Sequence, residues 1–337
     1  MLKILLFADT HLGYDYPIRP RVKKRRRGKD FFKNYKKALD YALTNQIDLV
    51  LHGGDFFFRS KVPSSIIDKA YRVLYEFARK GIPTVIVPGN HERAILPASL
   101  MTYHKNIFVL DEPKTYFFNI KANSIAISGF PFVRNNIRDN FTNVFQQSIA
   151  GNPETDVKIL LMHQSIQYSS IKNYTFYTGQ DVIPQKLLPL NFDAILAGHI
   201  HRAQIMWLNT DKQEIPIIYP GSTARTSITE KDEEKGFFVL SFDEKYPNNL
   251  IDIDFQVLPT RPMAVIEIPR SMGKNALAAW LKTRIKWLDN NAVIRLQCNI
   301  KSMRKYLTAK FLRKITPPDI TLTLAPYYSK KKKKLKY

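Results

Sequence analysis

The sequence predicts an α/β protein in which two packed sheets are flanked by helices, with a small α+β domain after them. Three observations carry this reading. Extended apolar runs alternate with helix-patterned runs at the start of the chain. Six further extended runs then follow, enough strands to fill a second sheet. Finally, a break at Leu258-Pro-Thr-Arg-Pro262 precedes a new βαβ-like pattern.

In order along the chain, residues 3–7 form a buried strand. Residues 30–45 are helical, because Phe31, Tyr35, Leu39 and Leu43 recur every four residues. Residues 49–52 make the next strand, closed by Gly53-Gly54. A second helix covers 64–80, with Pro63 before it, Ser64 or Ser65 as its cap and Gly81 after it. A third strand, 84–87, ends at Pro88-Gly89. This βαβαβ rhythm predicts parallel strands with helices outside them. Residues 124–128, 158–162, 194–197, 215–219, 237–242 and 251–257 are extended. Past the break, strands at 263–268, 292–300 and 320–324 surround a helix at 274–288. Trp280, Ile285 and Leu288 would pack that helix on its sheet. The division is 1–258, 259–325 and a lysine-rich tail, 326–337.

The 337 residues are 45% apolar, enough for a sizeable core. No apolar run approaches the roughly 20 residues that cross a bilayer. Met1-Leu-Lys-Ile-Leu-Leu-Phe7 runs straight into Asp9 and lacks a small-residue cleavage site, so it is a strand rather than a signal segment. The single cysteine, Cys298, excludes an internal disulfide and a CxxC metal site. A cytoplasmic protein is expected, nucleoid-associated if prokaryotic. The net charge is +23 and uneven: residues 259–337 hold 19 Lys/Arg against 3 Asp/Glu. Such a surface points to a polyanionic partner, nucleic acid first and an acidic membrane surface second.

Five segments pair a strand end with a metal-capable side chain. They are Asp9-Thr-His11, Gly54-Asp55, Gly89-Asn-His-Glu92, His163 and Gly198-His-Ile-His201. In open α/β sheets, ligands gather outside the carboxyl ends of strands, so five such ends can share one cleft. Carboxylate, imidazole and amide oxygen suit manganese, iron or zinc. Alternate residues in Asp9-x-His11 and His199-x-His201 face one side if the backbone is extended. The glycines before Asp55, Asn90 and His199 allow tight turns and close backbone approach. A lone DxH, GD or HxH is a weak signal and GNHE a moderate one; all five in this order, each after an apolar run, form a strong signal.

With these motifs the sequence resembles the calcineurin-like metallophosphoesterases. Within them it is most similar to the SbcD-type nucleases of meiotic recombination and double-strand-break repair. The resemblance covers about residues 1–258 and extends to Asp9-Thr-His-Leu-Gly13, Arg27-Gly-Lys-Asp-Phe31 and Pro220-Gly-Ser222. It implies a two-sheet metallophosphoesterase sandwich flanked by helices, with residues 259–325 as a small, DNA-binding α+β capping domain. It implies a metal-dependent DNA exonuclease or endonuclease working with two divalent ions, manganese first, with iron, zinc and magnesium as alternatives. One ion would be held by Asp9, His11 and His201, the other by Asn90, His163 and His199, with Asp55 bridging. His91 would contact the phosphate and protonate the leaving oxygen. Beyond DNA, the implied partners are a second copy of the chain and an SMC-like, SbcC-type ATPase. That ATPase usually docks on a helical segment after the capping domain, and only about a dozen residues follow Leu324. Docking elsewhere and action without it are both open.

One position departs from this pattern. Where the nuclease branch usually has His or Asp, three residues after the bridging aspartate, this chain has Phe58, which binds neither proton nor phosphate. Arg59 is a candidate substitute phosphate contact, against the equal alternative of an ordinary surface arginine. A basic stretch, Arg19–Lys29, lies between the first motif and the first helix. Within it Arg21, Lys23, Lys24, Arg25, Arg26 and Arg27 are candidate phosphate contacts, against the alternative of a merely solvated charge run. His52 is a core histidine, and Glu92 supports its turn. The rival function is a phosphatase or phosphodiesterase acting on small-molecule or protein phosphoesters. Protein phosphatases carry a DRG-type continuation where this chain has Phe58-Arg59-Ser60, and they lack its GHxH motif. A DNA-binding scaffold without catalysis is a third possibility, opposed by the intact ligand residues.

Overall fold

The computed structural model describes residues 1–16, 25–97, 104–151, 153–172, 174–209, 214–243 and 250–326. Two compact units emerge. The first comprises 1–16, 27–224 and 233–260. The second comprises 261–337 together with 17–26 and 225–232, two short segments that the sequence reading left in the first domain.

The first unit begins with β1 (Leu2–Phe7), α1 (Gly28–Thr44), β2 (Leu49–His52), α2 (Ser64–Ala78), β3 (Thr84–Ile86) and β4 (Ile107–Val109). It continues with β5 (Lys114–Ile120), β6 (Asn123–Gly129), α3 (Ile137–Ile149) and β7 (Val157–His163). Four short strands follow: β8 (Ser165–Ile166), β9 (Ser170–Ile171), β10 (Tyr174–Thr175) and β11 (Val182–Ile183). Then come β12 (Ala194–Gly198), β13 (Gln204–Asn209), β14 (Glu214–Tyr219), β15 (Lys235–Phe242) and β16 (Leu250–Leu258).

Two six-stranded sheets form, in the orders β16-β15-β1-β2-β3-β4 and β13-β14-β12-β7-β6-β5. β1 to β4 are mutually parallel, as are β6, β7, β12 and β14. Strand alternation builds the layers. Leu2, Ile4 and Leu6 enter one core with Ile125, Ile127, Ile159, Leu161 and Leu196, which seals sheet to sheet. Leu5 and Phe7 point the other way, into a core with Phe31, Tyr35, Leu39, Leu74 and Phe77 of the first two helices. On the outer face of the second sheet, Leu160, Met162 and Ile195 pack with Ile137 and Phe141 of α3. The predicted two-sheet sandwich with flanking helices is present.

The second unit carries β17 (Met263–Glu267), α4 (Lys274–Lys286), β18 (Val293–Gln297), α5 (Lys301–Arg304), α6 (Ala309–Ile315) and β19 (Thr321–Leu324). Its three strands are parallel. Leu277, Leu281 and Ile285 recur every four residues and lie buried against Ile294 and Leu296, with Trp280 and Leu288 packed at the edge of that core.

Several details differ from expectation. β4, β5, β13 and α3 escaped the sequence reading. β13 is an edge strand that exposes alternate side chains, including Ile205 and Trp207, so its composition is mixed. α3 buries only Ile137, Phe141 and Ser148. α2 starts with Pro63 at its N-cap and no side-chain cap, so neither Ser64 nor Ser65 performs that role. In α1, Leu39 is 2% exposed but Leu43 is 42% exposed. A four-residue spacing drifts by about 40° per step on a 3.6-residue helix, and the buried face passes to Ala38 and Ala42 instead. Leu39→Ala is expected to cost about 2–5 kcal/mol of unfolding free energy and Leu43→Ala less than about 0.5 kcal/mol. Urea unfolding of the two variants measures the contrast.

Candidate metal centre

Parallel strands bring their carboxyl ends to one edge, and here two parallel sets meet. β1, β2 and β3 deliver Asp9, Asp55 and Asn90 from the first sheet. β7 and β12 deliver His163 and His199 from the second, with His163 opposite Gly198 in register. Backbone bonds lock the loops to each other. Asp9 N–H donates to Gly54 O at 2.9 Å and His11 N–H to Asp55 O at 3.0 Å. The sheets are joined by a side chain: His163 Nδ1 donates to Gly53 O at 2.7 Å. Two glycines make the approach possible. At Gly54, with φ +99°, a Cβ would lie 2.3 Å from His163 Nδ1, and at Gly89 it would lie 2.2 Å from Asp55 Oδ1.

Electron-pair donors converge inside this frame. His11 Nε2 and His201 Nε2 are 3.0 Å apart. Asn90 Oδ1 is 3.0 Å from His163 Nε2 and 2.9 Å from His199 Nδ1. Asp9 Oδ1 is 3.6 Å from His201 Nε2 and 3.8 Å from His11 Nε2. Asp55 spans the cluster, with Oδ1 at 3.4 Å from His163 Nε2 and Oδ2 at 4.0 Å from His11 Nε2. Asp9, His11, Asp55 and His163 are buried. Asp9 Oδ1 is buried and has no hydrogen-bond partner among the described residues, an arrangement that costs free energy unless a cation or proton occupies the space it faces. Oxygen and imidazole donors in this number suit a divalent cation, and the three overlapping groups Asp9–His11–His201, His11–Asp55–His91 and Asp9–Asp55–His163 fit one.

The protonation states follow from burial and neighbours. Burial opposes charge on Asp55, but His163, His11 and His91 outweigh it and hold the carboxyl well below its ordinary range. Burial likewise opposes charge on His163, yet Asp55 beside it raises the imidazole to about 9. Burial lifts Asp9 to about 6, and burial with the nearby His163 lowers His199 to about 3. His11 is also pushed well below its usual value by burial and then by His201. His11 and His199 are therefore neutral at physiological pH, as ligands must be.

Four of these residues adopt left-handed backbone: Asp9 (φ 50°), His11 (φ 44°), Asp55 (φ 52°) and His199 (φ 85°). Such conformations cost on the order of 1–3 kcal/mol each and gather at functional sites. Surrounding bonds hold them. The buried Glu92 carboxyl, which burial and the nearby Asp55 push up to about 8, accepts from Phe57 N–H and, at 2.9 Å, from Gly89 N–H, so one side chain ties the Asp55 loop to the Asn90 loop. His201 O accepts from Ser222 N–H at 3.1 Å and from the fully buried Lys235 Nζ at 2.7 Å. His91 is oriented from both ends. Its N–H donates to Asp55 Oδ1 at 2.9 Å and its Nδ1 bonds Phe58 O at 2.7 Å, leaving Nε2 at the mouth with the side chain 32% exposed.

The seven expected donors are thus brought together with His91. Glu92 supports its turn as expected, and His52 is a core residue: its Nδ1 accepts from Gly54 N–H, its Nε2 bonds Thr10, and burial lowers it to about 3. The basic residues are dispersed. Arg21, Lys23 and Lys24 lie outside the described residues. Arg25 donates to the carbonyls of Pro317 and Pro318, within the second unit. Arg26 O accepts from Arg261. Arg27 lies over the Tyr14 ring at 4.9 Å and donates to its hydroxyl, and exposed Arg59 lies 5.4 Å over Phe58. Sequence reasoning missed Lys235, since a lysine at the start of a strand is ordinarily solvated. For Ser222 the Pro-Gly-Ser run was the signal.

The family model for calcineurin-like phosphoesterases matches residues 2–203, and the chain belongs to that family, whose class is hydrolysis of phosphoester bonds. The "DNA double-strand break repair protein Mre11" of Methanococcus maripaludis is 26% identical over 257 residues, covering 71% of this chain and 62% of that one. The protein of the same name from Saccharolobus solfataricus is 25% identical over 329 residues, covering 93% and 79%. That of Sulfurisphaera tokodaii is 26% identical over 215 residues, covering 61% and 51%. The matches thus span between about half and four-fifths of these relatives' lengths.

Two outcomes are expected of the centre. Glu92→Ala leaves two buried amides without an acceptor, which costs about 2–5 kcal/mol. Thermal melts should show that loss, and Glu92→Gln, which keeps one acceptor oxygen, should lose less. Cation binding must also displace the proton that His163 carries below about 9 and, at lower pH, the one that Asp9 takes near 6. Affinity for a divalent cation should therefore rise with pH from about 6 to about 9, with protons released. Calorimetric titration in buffers of different ionisation heat counts them, and a pH-independent affinity would contradict the assignment.

Proposed function

We propose that this chain is a DNA nuclease of double-strand-break repair that hydrolyses phosphodiesters with two divalent ions, manganese first. Asp9, His11 and His201 would hold one ion, Asn90, His163 and His199 the other, and Asp55 both. The observation that carries the reading is the convergence of these seven donors from five strand ends, with the His91 side chain, 32% exposed, beside them. When bound, the ions offset negative charge on the attacking and leaving oxygens.

The chain's own groups do the rest. A water oxygen bonds to phosphorus as the ester P–O bond breaks; that water releases one proton to solvent, and the departing oxygen needs one. His91 Nε2 supplies it. Nδ1 keeps its own hydrogen on Phe58 O, so the imidazole returns to a single neutral tautomer after donation. Glu92 and Lys235 keep the two loops and His201 in place. DNA as substrate is supported by the relatives' printed names and by the +23 charge, concentrated beyond residue 258. On this reading residues 259–325 contact DNA, two copies associate, an SMC-like ATPase is a partner, and the protein works inside the cell. No helix of the described residues is long and apolar enough to cross a membrane.

The test is manganese-dependent cleavage of single- and double-stranded DNA beside a chromogenic phosphodiester. Asp55→Ala is expected to abolish all activity. His91→Ala should lower cleavage by at least about a hundredfold while metal binding, read by calorimetry, persists. Equal DNA cleavage by wild type and Asp55→Ala would remove the assignment. Hydrolysis confined to small phosphodiesters and indifferent to competing DNA would favour a phosphatase or phosphodiesterase instead.

A further inference from the structure

On the His11–His91 side of the donor cluster lies a row of rings and guanidinium groups that the hydrolytic roles above leave unused. Phe56 and Phe57 are each 1% exposed, but Phe58, next in the chain, is half-buried at the mouth. Its ring is 5.5 Å from the His91 ring and 5.6 Å, edge-on, from the His11 ring. Tyr14 braces it at 4.7 Å, and Tyr14 in turn stacks on buried Phe31 at 4.6 Å and 14°. Arg59 lies over Phe58 and Arg27 over Tyr14. The row therefore runs from an exposed guanidinium, through two rings, to the core.

We propose that Phe58, backed by Tyr14, stacks on an unpaired nucleobase beside the phosphate to be cleaved. The inference rests on the nuclease reading and names its substrate class: DNA whose base at that point is free of the helical stack. Three features support it. A large ring left half-exposed at a mouth otherwise lined by imidazole and guanidinium gains most from a flat partner of its own kind. Arginine beside that ring adds attraction for both the base and its phosphate. The same residue also positions the acid, because the carbonyl of Phe58 holds His91 Nδ1. A base lying on the ring is thus set at a fixed reach from the group that protonates the leaving oxygen. Inside a duplex both faces of a base are already covered, so this contact is open only to single strands, ends or flipped bases.

The test compares a single-stranded oligonucleotide with one of the same length made wholly of abasic residues. For wild type, KM should be about tenfold lower on the normal strand, within the range that one base–aromatic stack supplies, with kcat similar on both. Phe58→Leu should raise KM on the normal strand to the abasic value, and Phe58→Trp should restore the difference. If Phe58→Leu fails to fold, the added indole of Phe58→Trp reports instead. Without metal, its emission should be quenched by the normal strand and not by the abasic one. Cleavage of both strands with equal KM, or a full preference retained in Phe58→Leu, overturns this inference alone. Failure to cleave either strand while a small phosphodiester is hydrolysed overturns the nuclease reading as well.

Discussion

The bond from His163 Nδ1 to the carbonyl of Gly53 joins the carboxyl end of one sheet to that of the other. The rest of the centre depends on it. It orients the imidazole so that Nε2 faces Asn90 and Asp55. It also brings the His163 ring so close to the Gly54 backbone that only glycine fits at residue 54. Below this edge the inter-sheet core of Leu2, Ile4, Leu6, Ile159 and Leu161 sets the spacing of the sheets. A shift of one sheet on the other would separate Asp9 and Asp55 from His163 and His199 together, so packing in the core and geometry at the edge are one constraint.

That geometry is costly without a cation. Four left-handed non-glycine residues and a buried Asp9 oxygen with no hydrogen bond among the described residues occupy a few loops. Carboxylates and imidazoles then shift one another, with Asp55 and His163 drawn towards their charged forms and His11 and His199 towards neutrality. The surrounding bonds resist collapse. Glu92 ties the loops that bear Asp55 and Asn90, Ser222 and Lys235 fix the His201 carbonyl, and backbone bonds between 9–11 and 54–55 hold the first loop, left-handed at Asp9 and His11 rather than extended, against the second. Such preorganisation is what a metal-dependent hydrolase needs, since the donors are in place before the cation arrives.

The three consecutive phenylalanines show how finely this edge divides its side chains. Phe56 and Phe57 belong to the core beneath α1 and α2, and Phe58 turns outward against His11, His91 and Tyr14. Composition alone would place all three inside. What separates them is the turn after Asp55, whose backbone leaves the sheet and pairs with the loop following β1.

The sequence by itself determined the parallel start of the fold, the two-sheet count and the candidate donors. Each was a local signal: an apolar run of strand length followed at once by a metal-capable side chain. It also separated His52 from the metal-capable histidines, because His52 lies outside the five motifs. Signals spread over longer distances were weaker. Leu43 matched a four-residue spacing but drifted off the buried face of α1. Edge strands such as β13 lacked a clean apolar pattern. Arg25, counted among the phosphate contacts, turned to the carbonyls of Pro317 and Pro318. Only the tertiary structure decided which nitrogen of each imidazole faces the centre, that Lys235 is buried beneath His201, that Glu92 bridges two loops, and that a phenylalanine carbonyl holds His91. These depend on distances between residues far apart in the chain, from 33 residues between Phe58 and His91 to 110 between Gly53 and His163, and such distances are set by how the sheets pack rather than by any local pattern.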